Sequence, residues 1–375
     1  HVGSLPRPPV LRDLLVQHER GDSVDADALA SQIEAAVRMV LARQLDVGID
    51  IGNNGEQPRV GFQTYVASRL RGFGGASARP PSQDMLHFPD YAVMLRERRR
   101  HAAKIDNAPQ AVADIQYTDL SEASQECRTF LHYAADEARQ CAEPFMTAAS
   151  PGIIATTLLN AHYATHEQYI YALARAMQRE YEYIHAQGFT LQLDCPDLAM
   201  ERTRYFRQES LARFQEIVAL HIDAINLALA NIPPEHVRLH VCWGNYDGPH
   251  AFDVPLEAIL PLLYTARVGA LSIELANPRH QHEYKVFKRY PLPEHMLFMP
   301  GVIDTTTNYV EHPEVVADRI CQAVEAVGDR SRVIASTDCG FSTFAGSDMV
   351  ASSVVWAKLQ TLRDGADLAT RRLWG

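Results

Sequence analysis

Eight short β-rich runs alternating with amphipathic helical stretches predict an α/β protein with a parallel sheet closed into a barrel. Two further observations point the same way. Polar and metal-ligating side chains gather at the C-terminal ends of the runs, where such barrels carry their chemistry. One helical stretch also starts at proline and another stops at glycine, the local signals that bound helices.

The candidate strands are residues 2–5, 47–51, 153–158, 189–194, 237–242, 270–275, 296–304 and 332–337, and their count and order fit a (β/α)8 TIM barrel. Between them, apolar residues at helical spacing predict helices over 165–187, ending at Gly188, and over 201–230, closed by Ile232-Pro233-Pro234. Shorter helices are predicted over 256–266, over 313–327 with proline in the first turn, and over 349–362. The stretch 61–150 breaks the rhythm. It shows no clear strand and holds Gly72-Phe73-Gly74-Gly75, Arg79-Pro80-Pro81 and a basic run over 96–100, with a helical pattern over 121–147. It reads as a long, partly helical insertion after the second strand that covers the barrel mouth or a subunit contact, the basic run being a solvated helix face.

A chain of 375 residues, 47% of them hydrophobic, can close one α/β barrel, so residues 1–375 are expected to form a single domain. The net charge of -11 argues against nucleic acid or an anionic membrane as the main partner. No apolar run approaches the ~18 residues of a membrane span, and the start of the chain lacks the pattern of a signal peptide. The six cysteines are widely scattered, which predicts reduced thiols and a cytoplasmic protein.

The fifth run contains His240-Val241-Cys242, two potential ligands on alternate residues and hence on one face of a strand. Alone the pair is weak evidence, because free cysteine is commonly buried and inert. Glu274 and Cys339 come out on the same predicted rim, and together the four offer one nitrogen, two sulfurs and a carboxylate oxygen, a set suited to tetrahedral Zn2+. Zinc would hold an incoming thiol as thiolate, so S-alkylation is the expected reaction. Glu56 and Asp194, also at strand ends, read equally as caps of turns or as contacts for a cationic substrate group. His280 and His282 read as supporting or surface residues, and His162, His166, His250 and His312 have no spacing that singles them out.

The chain resembles the catalytic domain of cobalamin-independent methionine synthase and its single-barrel relatives. The resemblance rests on His1-Val2-Gly3-Ser4-Leu5-Pro6-Arg7, Asn54-Gly55-Glu56, Leu191-Gln192-Leu193-Asp194, His240-Val241-Cys242, Glu274, Gly301-Val302-Ile303-Asp304 and Asp338-Cys339-Gly340, in the family's order across the whole chain. It implies a zinc set of His240, Cys242, Glu274 and Cys339, with Glu56 and Asp194 on the amino group of homocysteine and Ser4 on its carboxylate. It also implies Asp304 as a catalytic position. The family follows this aspartate with a proton-donating histidine in an Asp-Ile-His order, where this chain has Asp304-Thr305-Thr306. Nor does this length leave room for the N-terminal repeat that helps the family bind polyglutamyl folate.

The expected partners are therefore a small thiol and an alkyl donor, with homo-oligomerisation left open. Three functions are compatible with the residues. One is methyl transfer to homocysteine. Another is epoxide opening by coenzyme M, as in the family's epoxyalkane:coenzyme M transferase, whose sulfonate would need a basic residue such as Arg7, Arg59 or Arg279. The third is a zinc-stabilised, non-catalytic thiol-binding protein.

Overall fold

Three strands, Thr190–Asp194, Val237–Val241 and Ala270–Ile273, are buried at every position. Apolar and polar side chains alternate in them with no solvent face, which requires packing on both sides and selects a parallel sheet covered by helices. The computed structural model describes residues 1–98, 108–136 and 141–375.

Nine strands are present among these residues: β1 Ile51–Gly52, β2 Leu70–Gly74, β3 Gln110–Tyr117, β4 Glu143–Ala149, β5 Thr190–Asp194, β6 Val237–Val241, β7 Ala270–Ile273, β8 Leu297–Ile303 and β9 Ser336–Thr337. Seven of them form one parallel sheet in the order β1-β4-β5-β6-β7-β8-β9. The register sets Ala149 beside Asp194, Asp194 beside His240 and His240 beside Ser272, so neighbouring strands end at one level. No helix among the described residues is long and apolar enough to cross a membrane.

Four strand expectations are corrected. Of 47–51 only Ile51 is strand, because helix Ala26–Asp46 and its C-terminal turn precede it, and of 332–337 only Ser336 and Thr337 are, after the 3-10 turn Arg330–Arg332. Residues 2–5 form no strand, although they touch both margins of the sheet. Leu5 N donates to Gly55 O, Ser4 O accepts from Phe341 N, and Val2 N donates to Thr337 Oγ1. The run 153–158 is helical up to Thr157, in helix Pro151–Thr157, with Leu158 as its C-cap. Its β-branched residues favour a strand, but Ser150 caps the start by accepting from Ile153 N at 3.1 Å and Pro151 occupies the first turn. The strand expected there is β4, immediately before the cap.

In place of the strandless stretch expected over 61–150, the described residues between β1 and β4 carry strands of their own. β4 closes the stretch at residue 142, and it contains the antiparallel pair β2/β3, with a bulge between Arg71 and Phe73. Helices Gln83–His87, Pro89–Arg98 and Ser121–Asp136 complete it. Of the basic run, Arg98 pairs with Asp247, while Arg99 and Arg100 lie outside the described residues. Buried ion pairs anchor this stretch: Glu126 to Arg59 in the loop after β1 at 2.7 Å and to Arg69 within the stretch, and Arg79 to Glu201 in the loop after β5.

The helices between strands follow their caps. Thr165 and Ser210 accept from Gln168 N and Arg213 N, starting helices His166–Ala186 and Leu211–Ala228. The second therefore begins ten residues later than its apolar pattern suggests, after two short 3-10 turns over 196–202. Helix Pro313–Val327 has its expected bounds, whereas the last helix is Ser352–Trp374. The helix expected over 256–266 is Leu256–Leu263.

Candidate metal centre

β6 ends in the His-x-Cys pair, and the equal strand heights bring partners to it. His240, Cys242 and Cys339 are buried and place one donor atom each within 4.8 Å of one another. Cys339 Sγ lies 3.6 Å from His240 Nε2 and 3.8 Å from Glu274 Oε2. Ligands held at tetrahedral angles on zinc bonds of ~2.0–2.3 Å stand about 3.3–3.8 Å apart, so these separations fit the edges of such a site. Glu274 is outside the mutual three-residue group and reaches it through Cys339. His240 turns Nε2 towards Cys339 Sγ, while its Nδ1 is buried without a hydrogen-bond partner among the described residues.

The electrostatics are those of donors crowded out of water. Hydrogen bonds from Cys339 and from His240 hold the Cys242 thiol well below its ordinary range, and the same contact pushes Cys339 well up. Burial, then the charge of Cys242, raises Glu274 far above the usual carboxylate range. Burial opposes charge on His240, but its hydrogen bond to Cys242 wins and raises it. Concentrated negative charge of this kind is relieved by a divalent cation.

Asp338 braces the arrangement. It accepts from Leu275 N and Ala276 N at 2.8 Å and from Asn277 N at 2.9 Å, so the residue before Cys339 fixes the turn after Glu274. Glycine is required on its other side, because a Cβ on Gly340 would lie 2.0 Å from Ser4 Oγ.

A cavity of about 100 Å3 adjoins the donors and is lined by Ser4, Glu56, Asp194, His240, Cys242 and Cys339. Phe62, Met85, Met200 and Phe344 give it apolar walls, Met85 coming from helix Gln83–His87. Glu56 is held at φ +54°, a strained conformation for a non-glycine residue, by the side chains of Asn53 and Asn54, which accept from Gly55 N and Glu56 N. Its Oε1 accepts from Thr147 Oγ1 at 2.9 Å, and its buried Oε2 has no partner. Burial raises Glu56, and it pushes Asp194 up to about 7.

Asp304 stands apart from the donor group. Its Oδ1 accepts from Thr306 N at 2.6 Å and from Thr306 Oγ1 at 2.8 Å, and it lines a neighbouring cavity of about 380 Å3 with Glu274, Asn277 and His250. There the structure reveals a chain of alternating charge that the sequence left unassigned. His250 Nε2 donates to Tyr246 O, and Asp253 Oδ2 accepts from both His250 Nδ1 at 2.8 Å and His280 Nε2 at 3.0 Å. His280 Nδ1 donates to Glu283 Oε2 at 2.8 Å. The only hint in the sequence was the density of His and acidic residues over 250–253 and 280–283. His282, by contrast, is exposed.

None of the six cysteines is disulfide-bonded. Of the arginines proposed as sulfonate contacts, Arg7 and Arg59 are engaged elsewhere, whereas Arg279 lines the neighbouring cavity with Glu274 and Asp304. Arg7 donates to Ser342 O, Glu56 O and Arg59 O, Arg59 binds Glu126 and Thr147, and Arg279 is an exposed residue whose Nη2 reaches Ala251 O at 3.4 Å.

Residues 146–360, more than half of the chain, match the family model described as cobalamin-independent synthase, catalytic domain. The chain is 25% identical to a 2-hydroxypropyl-CoM lyase of Xanthobacter autotrophicus, over 90% of this chain and 87% of that one. It is 22% identical to a methionine synthase of Saccharolobus solfataricus, over 99% and 94%. A B12-independent methionine synthase from Shewanella sp. W3-18-1, in complex with selenomethionine, shares the fold with a TM-score of 0.74 at 20% identity, over 100% of this chain and 97% of that one. By fold, by the match across its sheet and by the grouping of His240, Cys242 and Cys339, this chain belongs to the cobalamin-independent synthase catalytic-domain family.

Proposed function

We propose that this protein is a zinc-dependent S-alkyltransferase that methylates homocysteine or a closely similar amino thiol. The observation that carries the reading is the pair of buried carboxyls, Glu56 and Asp194, facing one cavity with the donor set. An ammonium group would satisfy the unpartnered Glu56 Oε2, and its positive charge would favour the ionised form of two acids that burial raises. A sulfonate would find the same two carboxylates repulsive. Arg79 and Arg204 do line the cavity, but Arg79 is paired with Glu201 and Arg204 donates to Pro80 O.

His240, Cys242, Glu274 and Cys339 would hold the zinc, which when bound keeps a substrate sulfur as thiolate near neutral pH. Glu56 and Asp194 orient the amino end, Ser4 meets the carboxylate, and the apolar walls exclude water from the reacting sulfur. Asp304 acts from the adjoining cavity, on the donor side. Residues 1–375 form one domain, in which the extended segment 2–5 bridges the two margins of the seven-stranded sheet through its hydrogen bonds to Gly55, Phe341 and Thr337.

Epoxide opening by coenzyme M is the second reading, favoured by the 25% identical lyase and by the absence of a histidine in Asp304-Thr305-Thr306. The deciding experiment supplies zinc-loaded protein with L-homocysteine plus methylcobalamin or methyl-folate, and separately with coenzyme M plus propylene oxide. Methionine formation is expected. A thioether from the second mixture alone would replace the first reading with the second.

A further inference from the structure

Each of the two cavity acids is held at one oxygen by a neutral side chain, and each of those is held in turn by a buried arginine. Arg59 Nη1 donates to Thr147 Oγ1 at 2.9 Å, and Thr147 Oγ1 is 2.9 Å from Glu56 Oε1. Arg238 Nη2 donates to Gln192 Oε1 at 2.8 Å, and Gln192 Nε2 donates to Asp194 Oδ1 at 2.9 Å. Thr147 and Gln192 are completely buried.

Donor chemistry fixes the protons. A guanidinium can only donate, so the Thr147 oxygen is the acceptor from Arg59, and its single hydrogen must go to Glu56 Oε1. In the same way Arg238 forces the amide oxygen of Gln192 towards itself and the NH2 towards Asp194 Oδ1 and Val2 O. Both Oε1 and Oδ1 are thereby committed as acceptors. Glu56 Oε2, buried and unpartnered, is left for the cavity. A direct arginine–carboxylate pair would have neutralised these acids, whereas a neutral spacer transmits orientation and leaves the charge available to a ligand.

We propose that Thr147 and Gln192 are positioning residues for a cationic substrate group, each an arginine-backed relay that aims one oxygen of Glu56 or Asp194 at the ammonium of an amino thiol. The inference rests on the amino-thiol reading given above. It adds that recognition of the amine depends on two residues that never touch it.

The test compares zinc-loaded wild-type protein with Thr147→Val, Thr147→Ser and Gln192→Met, measuring Kd calorimetrically for L-homocysteine and for 4-sulfanylbutanoate, which lacks the amino group. Thr147→Val is expected to weaken homocysteine about tenfold or more while changing 4-sulfanylbutanoate by less than about twofold, with zinc content unaltered. Thr147→Ser, which keeps the hydroxyl, should restore binding. Gln192→Met should repeat the amine-specific loss through the other relay, and it carries the test if Thr147→Val does not fold. Equal weakening of both thiols, or a Thr147→Val protein that still discriminates like wild type, would overturn the relays alone. A wild type that binds both thiols equally would overturn the amino-thiol reading, and the relays with it.

Discussion

Glu56 and Cys339 border one cavity but are expected to respond differently to substitution. Cys339→Ser and His240→Ala should each reduce zinc to well below one per chain by elemental analysis, because each removes a donor from a group already within 4.8 Å. Glu56→Gln should keep its zinc and raise KM for the thiol by about tenfold, the cost of a lost charge-assisted contact. Loss of metal in Glu56→Gln would place the centre elsewhere. The grouping of His240, Cys242 and Cys339 was legible in the sequence because strand ends on one rim concentrate chemistry. Thr147 and Gln192 were not. Their partners lie up to 190 residues away, and in sequence Gln192 is an ordinary polar residue inside a strand while Thr147 falls in a stretch read as helical. The Asp338 brace was visible only as a neighbour of Cys339, since its acceptors' donors belong to another strand's turn.

At the scale of elements, the segment joining β6 to the next helix meets the turn after β7 through His250, Asp253, His280 and Glu283. Although burial opposes it, hydrogen bonds from His280 to Asp253 and Glu283 raise that histidine from 6.5 to about 9. Because the folded value lies above the unfolded one, the stabilisation is complete below pH 6.5 and is lost as pH rises through about 9. Melting temperature should fall across that interval, and His280→Gln should flatten the profile while lowering its acid side; an unchanged profile in the variant would refute the assignment. Helix packing offers a separate check. A Cβ at Gly365 would lie 2.4 Å from Val316 Cγ1, so Gly365→Ala should destabilise by about 1–3 kcal/mol in urea unfolding. Elements bounded by strong caps were readable, as Pro313–Val327 shows. The 153–158 run misled because β-branched composition competed with a Ser-Pro start, and the start prevailed.

For the molecule as a whole, the parallel architecture was readable from the alternation of runs, whereas the hairpin-like pair β2/β3 was hidden. Its strands are joined by a 35-residue span, and Gly72 sits at φ +104° where its Cβ would strike Asp114 O. Removing metal should lower the melting temperature by roughly 5–10 °C without unfolding the protein, since large hydrophobic clusters hold the sheet independently of the donor group. Calorimetry of chelator-treated against zinc-loaded protein measures this, and identical curves would remove the metal from the account.

The register that seats Asp194 beside His240 has one more consequence. Adjacent strands run about 4.8 Å apart, and the sheet does not adjust that interval for a ligand. On the proposed reading the carboxylate that takes the amine and the imidazole that helps hold the sulfur's metal are carried on the two sides of a single strand gap. The backbone therefore acts as a gauge of chain length: a thiol with one methylene fewer between nitrogen and sulfur, such as cysteine, cannot seat both ends at once and should be alkylated far more slowly than homocysteine.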